Sequence, residues 1–257
     1  MKTKSSSNIL CSIENGIQKI VLNRLEKKNA INESMYKQLS QILHESIQND
    51  DIRMVVLTGV GNIFSSGNDF SSLGMNEDVD AESSITTFKN FVDNLITFPK
   101  LLVAIVNGLA IGIAVTMLPL FDMVYASDTA YFQTPFTRLG LVAEGCSTYT
   151  FPKLFGQSKA GDILYLGYKM NALEAKQYGL VSEVYKHEHL DDVWTYLKTV
   201  TMLSPSSILA IKSLVKRWNK EILLETNAQE SVELRKCMQS SDFIERLVTI
   251  MSRKSKI

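Results

Sequence analysis

The chain has 257 residues, of which 45% are hydrophobic and 21% charged, and its 27 basic and 27 acidic side chains balance formally. Such a chain can bury a large core, and a net charge of zero gives no global field to attract nucleic acid or an anionic membrane. Cys11, Cys146 and Cys237 are widely spaced and odd in number, which fits neither a disulfide framework nor a zinc site and points to a reducing compartment. No apolar run is long enough to span a bilayer, and the first residues lack the apolar stretch of a secretory signal.

Residues 9–13 alternate apolar with polar, Asn15-Gly16 turns the chain, and residues 17–22 read as a second strand, a strong hairpin pattern. Asn32 is placed to cap a helix whose apolar positions, Met35, Leu39, Ile42, Leu43 and Ile47, keep helical period. A buried strand is predicted over 53–58, a glycine-containing loop over 63–70, an acidic segment over 76–83 and a helix over 84–97. Pro99 separates that helix from a strand over 101–106. A second glycine-rich turn, 107–112, then opens an apolar helix over 113–118. Strands follow over 121–125 and 131–134.

Helices are predicted over 147–155, 158–166 and 172–178, the last capped by Asn171, with a strand over 180–185. Longer helices take 190–203, 205–218 and 222–239, with a short one after Asp242. The rhythm is strand, strand, helix, then a helical tail: one α/β domain, about 8–190, with C-terminal helices over about 191–257.

Glu144 stands out in Leu139-Gly140-Leu141-Val142-Ala143-Glu144-Gly145-Cys146, with apolar neighbours before it and no basic residue after it until Lys153. Buried there, its proton affinity would rise toward neutrality, as a general base or acid requires. Read locally, a surface glutamate in a turn accounts for it better; the rest of the chain decides. The loops Ser65-Ser66-Gly67-Asn68-Asp69 and Asn107-Gly108-Leu109-Ala110-Ile111-Gly112-Ile113 each end a strand. Glycine lets backbone N–H groups approach a ligand, and two aimed at one point make an oxyanion hole. Neither loop matches a phosphate-binding or dinucleotide fingerprint. His187-Glu188-His189 is expected to be a solvated loop rather than a metal site, and Cys146 a small buried residue.

Taken together, Asn23-Arg24 with Asn29-Ala30-Ile31, Phe64-Ser65-Ser66-Gly67-Asn68-Asp69, Asn107-Gly108 with Gly112, and Asp122 resemble the crotonase (enoyl-CoA hydratase/isomerase) superfamily. The likeness covers nearly the whole chain. Phe132 to Phe136 and Glu144 to Lys153 look most like peroxisomal-type Δ3,Δ2-enoyl-CoA isomerases. The resemblance implies a spiral of ββα units with a C-terminal helical trimerisation module. It also implies oxyanion donors at the N–H groups of Asn68 and Ile113. Ala30, Ser66, Gly67, Asp69, Phe70 and Gly112 would line the acyl-CoA path, with Lys27 or Lys28 as candidates for the CoA phosphates. The two glutamates of the hydratases fall at Thr116 and Phe136, neither of which can act as a carboxylate base, so hydration is disfavoured.

The expected activity is movement of a 3-cis or 3-trans double bond of an acyl-CoA to 2-trans, with Glu144 as the base. No metal or redox cofactor is expected, since CoA arrives as part of the substrate. The expected partners are the acyl-CoA, two further copies of the chain and no nucleic acid. Ser255-Lys256-Ile257 differs from a peroxisomal Ser-Lys-Leu address in its last residue, and a charged, frayed helix end accounts for it equally well; an import receptor is a candidate partner and the peroxisome the expected location, with the mitochondrion and the cytoplasm as alternatives. The rival readings are a non-catalytic crotonase-like module that binds acyl-CoA or a protein, or another reaction of the superfamily such as hydration or thioester hydrolysis. Leu25, Leu109 and Leu141-Val142-Ala143 depart from the usual pattern of the superfamily, and they bear on acyl-chain preference.

Overall fold

The structure, a computed structural model, describes residues 7–70 and 81–254. The hairpin forms as predicted: β1 (Ile9–Glu14) pairs antiparallel with β2 (Ile17–Leu22) through Asn15 and Gly16, both with positive φ. Beside β2 lie β3 (Met54–Gly59), β5 (Leu101–Val106), β7 (Met123–Ser127) and β10 (Glu183–Tyr185), all in parallel. Every residue of β3 is buried, as a strand covered on both faces must be.

A second sheet holds β4 (Ile63–Ser65), β6 (Leu109–Ile111), β8 (Tyr131–Gln133) and β9 (Met170–Asn171), in the order β4-β6-β8-β9. From β3 to β8 the chain places one strand in the large sheet and the next in the small one before a helix follows, which is the repeated ββα unit expected from the sequence; β1 and β2, ahead of the first helix, both lie in the large sheet. Two members of the small sheet correct the prediction, because β4 and β6 lie inside segments read as glycine-rich loops. Three residues beside a glycine are too short to show alternation.

Asn32 caps α1 (Glu33–Gln48), accepting the Met35 N–H at 3.0 Å. The helix α2 (Ala81–Thr97) begins three residues ahead of its predicted start, so 81–83 are helical; 76–80 lie outside the described residues, as does Ser255-Lys256-Ile257. The predicted apolar helix at 113–118 is shorter than expected. The helix α3 (Ile113–Thr116) gives way to a 3-10 turn, Leu118–Leu120, at Pro119, which has no N–H to continue an α-helix. The strand predicted at 121–125 begins two residues later because Asp122 turns inward instead, its Oδ2 accepting the Leu102 N–H at 2.7 Å.

Then come α4 (Ser147–Phe155), α5 (Gln157–Leu164) and α6 (Ala172–Gln177), the last capped by Asn171, which accepts the Glu174 N–H at 2.9 Å. His187–His189 form a 3-10 turn, and no metal-ligating cluster occurs among the described residues. The tail comprises α7 (Leu190–Val200), α8 (Pro205–Lys216), α9 (Lys220–Met238) and α10 (Ser241–Lys254), the last being 14 residues long where a short helix was expected. No described helix is long and apolar enough to cross a membrane.

One buried ion pair docks α8 on the large sheet. Lys212, 7% exposed, donates to Asp122 Oδ2 at 2.6 Å and to the Lys100 carbonyl. Burial outweighs the pairing and holds the Lys212 ammonium down to about 8. Removing one partner of such a pair strands the other charge. Asp122→Ala is therefore expected to destabilise the fold by roughly 3–5 kcal/mol, read by urea unfolding. A loss within about 0.5 kcal/mol, typical of a surface substitution, would contradict this role.

Candidate active site

The two glycine loops meet because β4 and β6 are neighbours in one sheet. Gly67, with φ +87°, faces the turn after β6 so closely that a Cβ there would stand 2.6 Å from the Ile111 carbonyl oxygen. An isolated parallel bridge between Ile31 and Asn68 adds a third segment: Ile31 N–H donates to the Gly67 carbonyl and Asp69 N–H to the Ile31 carbonyl, each at 2.8–2.9 Å. Both Asn68 neighbours are thereby fixed while the Asn68 N–H points the other way. Among the described residues neither that N–H nor the one of Ile113, which opens α3, has a backbone partner.

The predicted lining residues divide into two kinds. Ser66 N–H donates to the Lys28 carbonyl at 2.9 Å, and Ala30 is buried with its carbonyl accepting from Arg24 at 3.2 Å. The Asp69 carboxylate pairs with Arg24 at 2.5 Å, locking the loop to the turn before Ala30. Gly67, Asn68, Phe70 and Gly112 do face a common pocket of about 30 Å³, together with Phe136, Leu141 and Glu144. Ser66 also borders it. Ile113 is fully buried behind this wall. Lys27 and Lys28 are exposed on the turn that precedes Ala30.

Glu144 is buried, at 4% exposure, rather than in a surface turn. Gly145 beside it has φ +68°, and a Cβ there would fall 2.6 Å from Thr116 Oγ1 and 2.8 Å from the Ile113 side chain. Glycine at this position lets the Glu144 loop lie flat on α3, next to the proposed oxyanion donors. Burial, then the charge of Glu230, push the Glu144 carboxyl up to about 8, while a hydrogen bond from Asn68 opposes them.

That hydrogen bond shows what the sequence reading missed. Asn68 Nδ2 donates to Glu144 Oε1 at 2.9 Å, and the Tyr36 hydroxyl donates to Asn68 Oδ1. Tyr36 is buried on α1, and burial followed by the Glu144 charge raises its phenol well above the usual range, so it remains a donor. A signal was present: Tyr36 stands three and seven residues before Leu39 and Leu43 on the apolar face of α1. Glu230, in contrast, had no local signal. At the hydratase positions, Thr116 is buried with no hydrogen-bond partner for its hydroxyl among the described residues, and Phe136 closes the pocket.

A base of this kind costs stability. Between about pH 4.5 and 8 the folded chain keeps a proton on Glu144 that the unfolded chain has released. Stability from this group is full below that window and declines as pH rises through it, by about 1.4 kcal/mol per unit. Glu144→Gln, neutral throughout, is expected to exceed the native chain in urea-unfolding stability at pH 9, by an amount that shrinks toward pH 5. Parallel pH dependences for the two proteins would contradict the buried, uncompensated carboxylate.

Comparison with known proteins places the chain in a family. Residues 12–252 match the family described as enoyl-CoA hydratase/isomerase. The chain is 43% identical over 260 residues to enoyl-CoA delta isomerase 2 of Rattus norvegicus, a match covering all of this chain and 66% of that protein. It is 42% identical over 260 residues to "Enoyl-CoA delta isomerase 3, peroxisomal" of Mus musculus, covering 99% of this chain and 81% of the relative. Among solved structures, an enoyl-CoA hydratase/isomerase from Pseudoalteromonas atlantica T6c superimposes with a TM-score of 0.88 at 33% identity, covering 96% of this chain and 98% of the other. The chain therefore spans just under two thirds of the rat relative, and nearly all of the bacterial structure. On fold and sequence alike, the chain belongs to the enoyl-CoA hydratase/isomerase family.

Proposed function

We propose that this protein is a Δ3,Δ2-enoyl-CoA isomerase. The observation that carries the reading is the buried carboxylate of Glu144 at the pocket, hydrogen-bonded to Asn68 beside two backbone N–H groups that have no backbone partner among the described residues. The thioester acidifies the C2 proton of a 3-enoyl-CoA. Ionised Glu144 takes that proton, and the electron pair moves onto the thioester oxygen as a dienolate. The N–H groups of Asn68 and Ile113 hold the oxygen, each contributing on the order of 2.7–4 kcal/mol in such sites. Protonated Glu144 then delivers the proton to C4, the carbonyl re-forms, and the double bond stands at C2=C3. One base serves both transfers, as a 1,3-shift allows, and a carboxyl near neutrality is matched to taking and returning a proton.

A cavity of about 420 Å³ lies between α1, α2 and α9, lined by Tyr36, Phe70, Ile85, Phe88, Leu234 and Met238 among others. It shares Asn68 and Phe70 with the pocket at Glu144. Its size and apolar walls are those of a small-molecule site, and we assign it to the acyl tail. We also propose a homotrimer. Ile211, Leu214, Val215 and Trp218 leave a large apolar surface exposed on and after α8, more than a soluble monomer usually shows.

Glu144→Gln keeps the side chain's size and removes the base. Conversion of 3-enoyl-CoA to 2-enoyl-CoA, followed by absorbance of the conjugated thioester, should fall at least 10²-fold, in line with the contribution of general acid–base catalysis. Native kcat/KM should rise with pH toward a plateau above about 8. Near-native conversion by the variant would reject the mechanism, and acyl-CoA binding without turnover by the native protein would favour a binding module. Light scattering should give three copies of the 28.8 kDa chain, and Val215→Glu should lower that mass; a monomeric native protein would refute the trimer.

A further inference from the structure

The proposed reaction gives no task to Glu230, a carboxylate on α9 that is 5% exposed. Its Oε2 accepts the Cys146 N–H at 2.7 Å, while its Oε1 accepts the Thr148 N–H at 2.9 Å and the Thr148 hydroxyl at 2.6 Å. These donors open α4. A helix usually satisfies its first N–H groups with the side chain of its own cap residue. Here that residue, Cys146, has φ 64° and makes no side-chain cap; its Sγ donates instead to the Leu223 carbonyl at 3.3 Å. The cap comes from a different helix, 84 residues further along the chain.

The backbone it grips is the Glu144 loop. From Gly145 onward the chain is clamped, by α3 on one side and by Glu230 on the other. Residues 141–144 belong to no helix or strand; the Leu141 N–H donates to the Phe136 carbonyl at 2.9 Å, and the Glu144 carbonyl accepts the Ser147 hydroxyl at 2.8 Å, so the loop is held at its two ends. The charges facing the pair are few. Glu144 meets Asn68, with Tyr36 of α1 behind it, and feels Glu230 from α9. Glu230 meets Cys146 and Thr148 of the α4 terminus. Asp93 of α2 acts on the same Cys146, and it is tied to Lys89 at 2.6 Å and to Asn227 at 2.8 Å. Among the described residues no basic side chain acts directly on either glutamate.

We propose that Glu230 is a positioning residue for the isomerase reaction: it fixes the Glu144 loop through the Cys146 and Thr148 N–H groups, two and four residues beyond the base, and sets a second buried carboxylate against that loop. The inference rests on Glu144 as the base. Glu230→Gln removes the charge and leaves one accepting oxygen where the Cys146 and Thr148 N–H groups now have two. Glu230→Asp keeps the charge and shortens the reach.

The test is the pH dependence of kcat and KM on a 3-enoyl-CoA, with circular dichroism melting as the check on folding. In Glu230→Gln the acid limb of kcat/KM should move to lower pH, with kcat reduced on the order of 10²-fold, as for a displaced reacting group, and KM close to native. In Glu230→Asp the limb should remain at the native pH while kcat falls. A limb that stays in place in Glu230→Gln overturns the proposal, whatever its effect on melting temperature, because a plain helix cap would do no more. If Glu230→Gln does not fold, native kcat in Glu230→Asp overturns it. Glu144→Gln, run alongside, separates the two readings: activity there rejects the base itself, whereas its inactivity with an unmoved Glu230→Gln limb rejects only the role of Glu230.

Discussion

A carboxylate held away from water with an amide as its hydrogen-bond partner is the constraint around which the site is arranged. Ionised Glu144 is disfavoured by burial and by a second carboxylate, and among the described residues the Asn68 amide is its direct support. A lysine in that place would abolish the strain and, with it, the base strength. The neighbouring residue shows the contrast. Asp69 has Arg24 at 2.5 Å, and its carboxylate serves to anchor the loop. Two adjacent side chains, Asn68 and Asp69, thus divide the work of facing the base and of holding the loop.

The support for Glu144 comes from distant parts of the chain. Asn68 precedes it by 76 residues in sequence, and Tyr36, which orients Asn68, lies 32 residues earlier still. Local unfolding of any one of α1, the 66–70 loop or α9 would therefore alter the site. In a protein whose net stability is ordinarily only about 5–15 kcal/mol, a destabilising base is affordable only because the surrounding core is continuous, from Ile20 and Leu22 in β2 to Leu234 in α9 and Phe243 in α10.

Elements with long periodic patterns were legible in the sequence. The α1 stripe from Met35 to Leu43, the Asn15-Gly16 hairpin and the buried strand β5 follow from spacing alone. Short elements were not: β4 and β6 have three residues each, and their identity depends on pairing with one another. Site residues divided similarly. Glu144 and the two glycine loops had recognisable neighbours, whereas Glu230 lies with Asn227, Ser231 and Leu234 on the buried face of a helix that exposes most of its other polar residues. Nothing in that stretch tells a solvated glutamate from one that caps a helix elsewhere, because its partner donors lie 82 and 84 residues earlier.

The pairing of β4 with β6 also fixes a dimension. Adjacent strands of any sheet run about 4.8 Å apart, and an N–H reaches an oxygen at about 2.9 Å. Asn68 and Ile113 follow β4 and β6 by three and two residues, so the proposed oxyanion hole takes its width mainly from backbone pairing. Side chains around it can change to suit a longer, shorter or bent acyl group while the gap that receives the thioester oxygen keeps its width.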